Sequence, residues 1–291
     1  LKNNVLKTKN LDIKENGKGF FIEKNDFFNP TLIFDCGQSF RFKKTDNGFI
    51  GVAFENILVI ENAKNGYNIY SYMPLEKALL ESFFDVKRDY QKIQKFLLKD
   101  KTIASAISFS TGIRILRQDF FETLISFIIS QQNNITKIAN TIEKMSKLFG
   151  NEIIFNNKLY YTFPTAEKLK NITEQDLEPL RCGYRAKYII DAIKKVNNGE
   201  IDYNVLKNLN YISARNKLLS INGVGPKVAD CICLFSLGHF DAFPTDTWII
   251  KAMDYFYKIS KKEISEKSRE MFGNYSGIAQ QYLFYYLRYN R

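Results

Sequence analysis

Soft metal ligands are scarce in this chain of 291 residues: one histidine, His239, and four cysteines, Cys36, Cys182, Cys231 and Cys233. No C-x-x-C pair occurs, so a tetrahedral zinc site is not expected. An iron–sulfur cluster needs four grouped cysteines, and these are scattered. Free thiols in a reducing compartment are the natural reading, which points to the cytoplasm. No apolar run approaches the length of a membrane span. The opening LKNNVLKTKN has charge but lacks the apolar centre of a secretory signal. Fixed-period repeats and low-complexity tracts are missing as well. These absences argue against metal, membrane and disulfide-framework classes and leave a soluble intracellular protein as the expectation.

What is present is a large supply of core. Hydrophobic residues make up 45% of the chain and aromatics 15%, ample for one or two packed domains. Lysine and arginine number 42 against 31 acidic residues, a net charge of +11. Such a balance favours an anionic partner such as nucleic acid or a membrane surface. Most of the basic residues are lysine in a chain also rich in Asn and Ile, which composition bias alone would produce.

The two halves differ in texture. From Gly19 to about Met73 the runs GFFIE, TLIF, SFRF, GFIGVAF, NILVI and YNIYSYM are short, β-like and separated by Asn, Asp and Gly. Asp46-Asn47-Gly48 is a hairpin signal. This predicts an antiparallel sheet, followed by helices over Leu75–Phe84 and Asp89–Leu98. From about Arg117 onward the periodicity is helical. Gln118–Ser130 is apolar nearly all round, as a buried central helix should be. Ile135–Phe149 is amphipathic and stops at Gly150, and NEIIFNNKLYYTF reads as a small hairpin. Further helices are expected over Tyr184–Val196, Ser213–Ser220, Pro226–Leu237, Thr247–Tyr257, Ser265–Phe272 and Ser276–Tyr289. The fold class is therefore α+β, divided at 1–114 and 115–291.

The most informative segment is LLSINGVGPKVADCICLFSLG, Leu218–Gly238. A helix gives way to a tight turn at Gly223-Val224-Gly225, and a second helix opens on Pro226, which is favoured at the first helical position. The glycines allow a sharp turn and a close approach by a ligand. The free N–H groups at the new helix start suit a phosphate. An ordinary helix–helix turn would look similar, though the G-x-G spacing favours DNA. Lys227 lies in the first turn of the second helix. The macrodipole disfavours an ammonium there, and a neutral lysine is the nucleophile of Schiff-base chemistry; a simple phosphate contact is the competing reading. Asp246, in FPTDTWII, sits where a later helix begins. A helix cap is its plain role. A carboxylate there would also stabilise a sugar that becomes cationic at C1′.

Together the segments GVGPKVADCICL, CGQSFRF, SFIISQQNNI, GYRAKY, FPTDTW and AQQYLF resemble the 8-oxoguanine DNA glycosylase family, within the helix-hairpin-helix glycosylase/AP lyase superfamily. They fall in the family's order and span residues 36–284. The resemblance implies a TBP-like antiparallel β domain joined to a helical domain, acting as a monomer on double-stranded DNA without metal or organic cofactor. It implies a bifunctional reaction with Lys227 as nucleophile and Asp246 beside the developing charge. Gly37 matches the residue whose carbonyl accepts the extra N7–H of 8-oxoguanine, where normal guanine presents an acceptor. Gln280 matches the reader of the Watson–Crick edge, and Phe284 and Cys231 match the two faces of the base slot. Read alone, Gly37, Phe284 and Cys231 would pass for a turn and two core residues.

Further positions match DNA contacts: Gln132 and Asn133 in the SFIISQQNNI turn, Lys137 beyond it, Tyr184 and Arg185 in GYRAKY, Gly223 and Gly225 in the hairpin, and Trp248. Three depart from the family pattern. Gln132 stands where Asn is frequent, Lys137 where Arg is frequent, and Trp248 where His stands near a phosphate. The alternatives are a glycosylase for another oxidised or alkylated base and a non-catalytic helix-hairpin-helix binder. Lys227 argues against a monofunctional alkylpurine enzyme, and the scattered cysteines argue against the iron–sulfur branch.

Overall fold

The computed structural model describes residues 11, 13–15 and 19–290; the opening LKNNVLKTKN lies outside them. Six strands, β1 (Ile13–Glu15), β2 (Phe20–Glu23), β3 (Lys43–Thr45), β4 (Gly48–Ala53), β5 (Asn56–Ala63) and β6 (Gly66–Ser71), form one sheet in the order β1-β2-β6-β5-β4-β3. Every neighbouring pair is antiparallel. The Asp46-Asn47 step turns β3 into β4, with Thr45 opposite Gly48, as a two-residue hairpin loop should.

Successive residues of a strand face opposite sides, and β5 uses both. Leu58 and Ile60 point into a core with Phe28, Ile33 and Phe84. Ile57 packs on the other face with Val52 and Ile153. Ile153 belongs to a separate hairpin, β7 (Glu152–Phe155) and β8 (Lys158–Tyr161). The NEIIFNNKLYYTF segment thus forms the expected hairpin, which covers the back of the sheet.

One β-like run is a helix. TLIF lies in α1 (Pro30–Asp35), capped by Asn29, whose side chain accepts from the N–H groups of Thr31 and Leu32. Asn followed by Pro at the first helical position is a start signal that outweighs the β propensity of Ile and Phe. SFRF is a bend leading into β3 rather than a strand.

The helices are α2 (Lys77–Phe83), α3 (Tyr90–Leu97), α4 (Ala104–Ser110), α5 (Phe120–Ile129), α6 (Ile135–Phe149), α7 (Ala186–Asn197), α8 (Tyr203–Leu206), α9 (Tyr211–Leu218), α10 (Pro226–Ile232), α11 (Thr247–Tyr257), α12 (Ile264–Phe272) and α13 (Ser276–Tyr289). Helix α5 is buried at every position except Glu122, as its all-round apolar sequence requires. The pair of helices after the sheet divides. Leu80 and Phe83 of α2 join the sheet's core, while Tyr90, Ile93 and Leu97 of α3 join the helical core. Past α10 the chain continues as one turn of π-helix over Cys233–Leu237.

Arg114 sits where the sheet's core, with Phe84, meets the helical core, with Tyr90. It is 1% exposed and donates to the carbonyls of Phe84 (2.9 Å), Phe27 (3.1 Å), Arg88 (3.0 Å) and Asp85. Its guanidinium lies 4.0 Å from the centre of the Tyr90 ring. Five donors in a planar fork meet several carbonyls at once, which offsets the cost of burying the charge. Among the described residues no helix is long and apolar enough to cross a membrane.

Candidate active site

The hairpin between α9 and α10 aims Lys227. Helix α9 ends, and Val224 N–H donates to Ile221 O at 3.0 Å to close the turn. Gly223 has φ +78°, and a Cβ there would meet the Tyr188 ring at 2.2 Å. Both the backbone angle and the space demand glycine. Gly225 differs: it is the extended N-cap residue of α10, at φ −88°, and a Cβ there would meet nothing within 4 Å. That open space lies beside the free N–H groups of the helix start. Asn222 ties the turn to α7 through Asp191, at 2.8 and 3.0 Å.

One turn along α10, Asp230 is buried and accepts from Tyr211 Oη at 2.8 Å and Arg215 Nε at 2.7 Å, both on α9. Burial pushes its carboxyl upward against the pull of Arg215. The bridge locks α10 to α9, and hence the direction of Lys227. Asp230 was not among the residues singled out by sequence. Its only signal is an acidic residue in the mostly apolar stretch that follows Lys227.

Lys227 opens onto a cleft of about 630 Å³. Asp246, Gly37, Cys231, Gln280, Phe284, Gln132, Asn133 and Trp248 line the same cleft. Residues distant in sequence therefore converge, brought from the loop after α1, the α5–α6 turn, α10, the start of α11 and α13. Tyr184 and Arg185 stand at the rim, where Tyr184 Oη lies 3.5 Å from Gln132 Oε1. Lys137 is exposed in the first turn of α6. It does not line the cleft, and neither do Gly223 and Gly225.

Asp246 caps α11: its Oδ1 accepts from Ile249 N–H at 2.8 Å. Burial raises its carboxyl above the ordinary aspartate value, opposed by that N–H and by the Lys227 ammonium. Cys231 is one turn from Lys227. Burial pushes its thiol up to about 12, against the pull of Lys227. It is therefore a neutral, polarizable surface at physiological pH, suited to lie against a flat ring.

Phe284 and Gln280 share a face of α13, four residues apart. Gln280 is 3% exposed; its Nε2 donates to Pro244 O at 3.1 Å and its Oε1 accepts from Gln281 at 2.8 Å. Gly37 has φ +75°, and a Cβ there would touch the Phe284 ring at 3.4 Å. Its backbone is held by the next residue, Gln38, which is buried and donates to Ile33 O and Arg114 O at 2.9 and 2.8 Å. Gln38 Oε1 accepts from Leu116 N–H at 2.8 Å, so both ends of the amide are anchored. Trp248 faces the cleft from the second residue of α11, with Lys251 Nζ 5.3 Å from its ring centre.

An amine, Lys227, and a carboxylate, Asp246, share one cleft, beside a helix-hairpin-helix turn. Those features define a helix-hairpin-helix glycosylase of base excision DNA repair. A family model described as the 8-oxoguanine DNA glycosylase N-terminal domain matches residues 20–124. One described as HhH-GPD superfamily base excision DNA repair protein matches residues 125–274. The chain belongs to the 8-oxoguanine DNA glycosylase family, and it is a DNA glycosylase with lyase activity.

A probable N-glycosylase/DNA lyase from Methanothermobacter thermautotrophicus is 30% identical over 81% of this chain and 86% of its own length. The Arabidopsis thaliana N-glycosylase/DNA lyase OGG1 is 32% identical over 87% and 75%. The Clostridium acetobutylicum 8-oxoguanine glycosylase/lyase, solved with double-stranded DNA containing cytosine opposite 8-oxoguanine, superposes with a TM-score of 0.92. It is 42% identical, with 97% of this chain and 99% of that one covered. A 3-methyladenine DNA glycosylase from Archaeoglobus fulgidus, at 19% identity and a TM-score of 0.76, shares the fold alone.

Proposed function

We propose that this protein excises 8-oxoguanine from duplex DNA and then cleaves the strand through a Schiff base on Lys227. The observation that carries this reading is the opening of Lys227 and Asp246 onto the cleft also lined by Gly37, Gln280, Phe284 and Cys231. Extrusion of the nucleotide brings its base between the Phe284 ring and the Cys231 thiol. The Gly37 carbonyl accepts the N7–H that the lesion has and guanine lacks. Gln280 meets the Watson–Crick edge.

Once the Lys227 ammonium has given a proton to water, its Nζ lone pair attacks C1′. The C1′–N9 bond breaks, and its electron pair leaves with the base, which takes up a proton. The Asp246 carboxylate stabilises the positive charge that grows on the sugar during this exchange. Loss of a proton from nitrogen and opening of the sugar give the Schiff base. Removal of a C2′ proton then expels the 3′ phosphate by β-elimination, and water releases Lys227. Tyr184, Arg185, Gln132, Asn133 and Lys137 form the edge that meets the gap and the opposite strand. Trp248, Gly223 and Gly225 face phosphates. The enzyme works as a monomer on intracellular DNA, and the four free buried thiols suit a reducing cytoplasm.

The test is Lys227→Gln. Base release and borohydride trapping on 8-oxoguanine duplexes should both vanish while lesion binding is retained. Undiminished trapping would overturn the assignment of the nucleophile.

A further inference from the structure

We propose that Ser130 is a positioning residue for the nucleophile, one that turns the Lys227 lone pair toward the cleft; this rests on the reading of Lys227 given above. Ser130 is the residue that ends α5, 97 positions from Lys227 in the chain, and its Oγ lies 3.2 Å from Nζ. The direction of that hydrogen bond is fixed by a second one. The Ser130 hydroxyl donates its proton to Phe127 O at 2.8 Å. With the proton committed, Oγ has only lone pairs left for the lysine, so Nζ donates and Oγ accepts.

A lysine side chain is flexible and keeps rotamer freedom unless something holds its end. Here the end is held by several neighbours, the Cys231 thiol among them. Besides Ser130, the Phe127 ring centre lies 5.0 Å from Nζ. That ring is itself immobilised, stacked on Phe235 with centroids 5.4 Å apart and planes 18° apart, and met edge-on by Phe40 at 5.8 Å. Ser130 and Phe127 occupy the last turn of a helix buried almost throughout. The holder is therefore as rigid as the core.

The consequence is stereochemical. A neutral amine has two N–H bonds and one lone pair. Attack on C1′ uses the lone pair, and a hydrogen bond that consumed it would block the reaction. Because Ser130 accepts, it engages an N–H instead. With one N–H fixed at Oγ and the aromatic face flanking the nitrogen, the lone pair is left the open direction, into the cleft that Asp246 shares. Ser130 also lines the cleft, but the role proposed for it is exercised through Lys227.

Two substitutions test this in the full-length protein. Ser130→Ala removes the acceptor, and Ser130→Thr keeps an Oγ at the same place. Three quantities are measured: the single-turnover rate of 8-oxoguanine release, the rate of borohydride trapping on an abasic-site duplex, and the affinity for a lesion duplex. The alanine variant should slow release and trapping roughly ten- to a hundredfold, the scale of a misplaced nucleophile, with affinity unchanged. The threonine variant should recover most of the loss. Wild-type trapping by Ser130→Ala, or threonine as slow as alanine, overturns the proposal. A parallel loss of affinity in Ser130→Ala also overturns it, since the serine would then merely support the neighbouring DNA-facing turn. Failure of the wild-type enzyme to trap at all would instead overturn the Lys227 reading itself.

Discussion

Arg185 grips the backbone carbonyl of Gln132. Its Nη2 donates to Gln132 O at 3.2 Å, while Nε donates to Gln131 O at 2.8 Å and Nη1 to Cys182 O at 3.2 Å. Gln132 sits at φ +46°, an uncommon conformation for a residue with a side chain. One guanidinium thus holds that strained turn to the turn that carries Tyr184, whose ring it also flanks at 4.7 Å. The two turns proposed to face the DNA stack are a single mechanical unit.

Replacing Arg185 by lysine removes the planar fork and leaves one point charge. Excision from a lesion duplex should slow about tenfold, the scale of one or two lost charge-assisted hydrogen bonds. Trapping on a single-stranded abasic oligonucleotide, which has no opposite strand to manage, should barely change. Single-turnover rates on both substrates decide it; equal slowing on the two would refute a duplex-specific role.

Asp246 combines a cap with a charge, and the two functions separate in Asp246→Asn. The amide still accepts from Ile249 N–H, so the fold should survive. Excision should fall on the order of a hundred- to a thousandfold, as for a lost transition-state electrostatic contact. Burial raises the carboxyl above its ordinary value. The wild-type rate should therefore decline, as the solution is acidified, at a higher pH than an ordinary aspartate would dictate, and the Asn variant should lack that limb. The sign for stability is opposite. A folded-state value above the unfolded one gives stability that is full at low pH and is lost as pH rises through the folded value. Asp246→Asn should then be no less stable than wild type at neutral pH. Thermal melts and a kcat/KM–pH profile test both halves, and a marked destabilisation at neutral pH would contradict the argument.

Arg114→Met asks how much the buried guanidinium stabilises the segment between the sheet and the helical core. The substitution keeps an unbranched apolar side chain but leaves the carbonyls of Phe84, Phe27 and Arg88 without their donor, and Asp85 O with the Arg88 N–H alone. Each buried group stranded in this way costs about 1–3 kcal/mol, so a total loss of roughly 3 kcal/mol or more is expected. Urea unfolding should show a lower midpoint with a similar slope. A midpoint indistinguishable from wild type would mean that water or a rearranged neighbour supplies the carbonyls.

Local signals were legible where the chain's own chemistry decides the outcome. Pro226 at a helix start, the Asp46-Asn47 turn and the unbroken apolar run of α5 each determine nearby backbone. TLIF was misleading because Ile and Phe suit a strand, while the decisive Asn29-Pro30 start lies just ahead of it. The proposed chemical pair and base slot rest on ordered motifs rather than on periodicity, and the structure brings those residues to one cleft. Read alone, Cys231 and Phe284 look like core, and both are buried. Ser130, Gln38, Asp230 and Arg114 were not singled out, for a common reason. Each acts through partners chosen by the tertiary fold, such as Gln38 on Arg114 O, 76 residues away. A lone polar residue in an apolar segment signals that a partner exists, but not which one.

Once 8-oxoguanine is extruded, its partner is unpaired and must be held by protein. Cytosine presents N3 and O2 as acceptors, which favour rigid, multi-donor guanidinium groups. Arg185 is one such group, yet its donors are engaged with the carbonyls of Gln131, Gln132 and Cys182. Reading a base would have to compete with those bonds. The family position that carries a second arginine holds Lys137 here, an exposed side chain in the first turn of α6. An ammonium supplies charge but no planar two-point match. Gln132 is exposed and longer than the Asn frequent at its position, so it can adapt to gaps of different shape. Discrimination in favour of cytosine should consequently be weak. Excision of 8-oxoguanine should be measured opposite each of the four bases, under single-turnover conditions, for wild type and Lys137→Arg. The wild-type rates should span a narrow range, about tenfold or less, since one bidentate contact to a base is worth roughly 1–3 kcal/mol and is missing here. Lys137→Arg should widen the range by raising the rate opposite cytosine relative to the other three. A wild-type enzyme that cuts only opposite cytosine would refute the argument outright. An unchanged ranking and spread in Lys137→Arg would move the source of selectivity away from this helix.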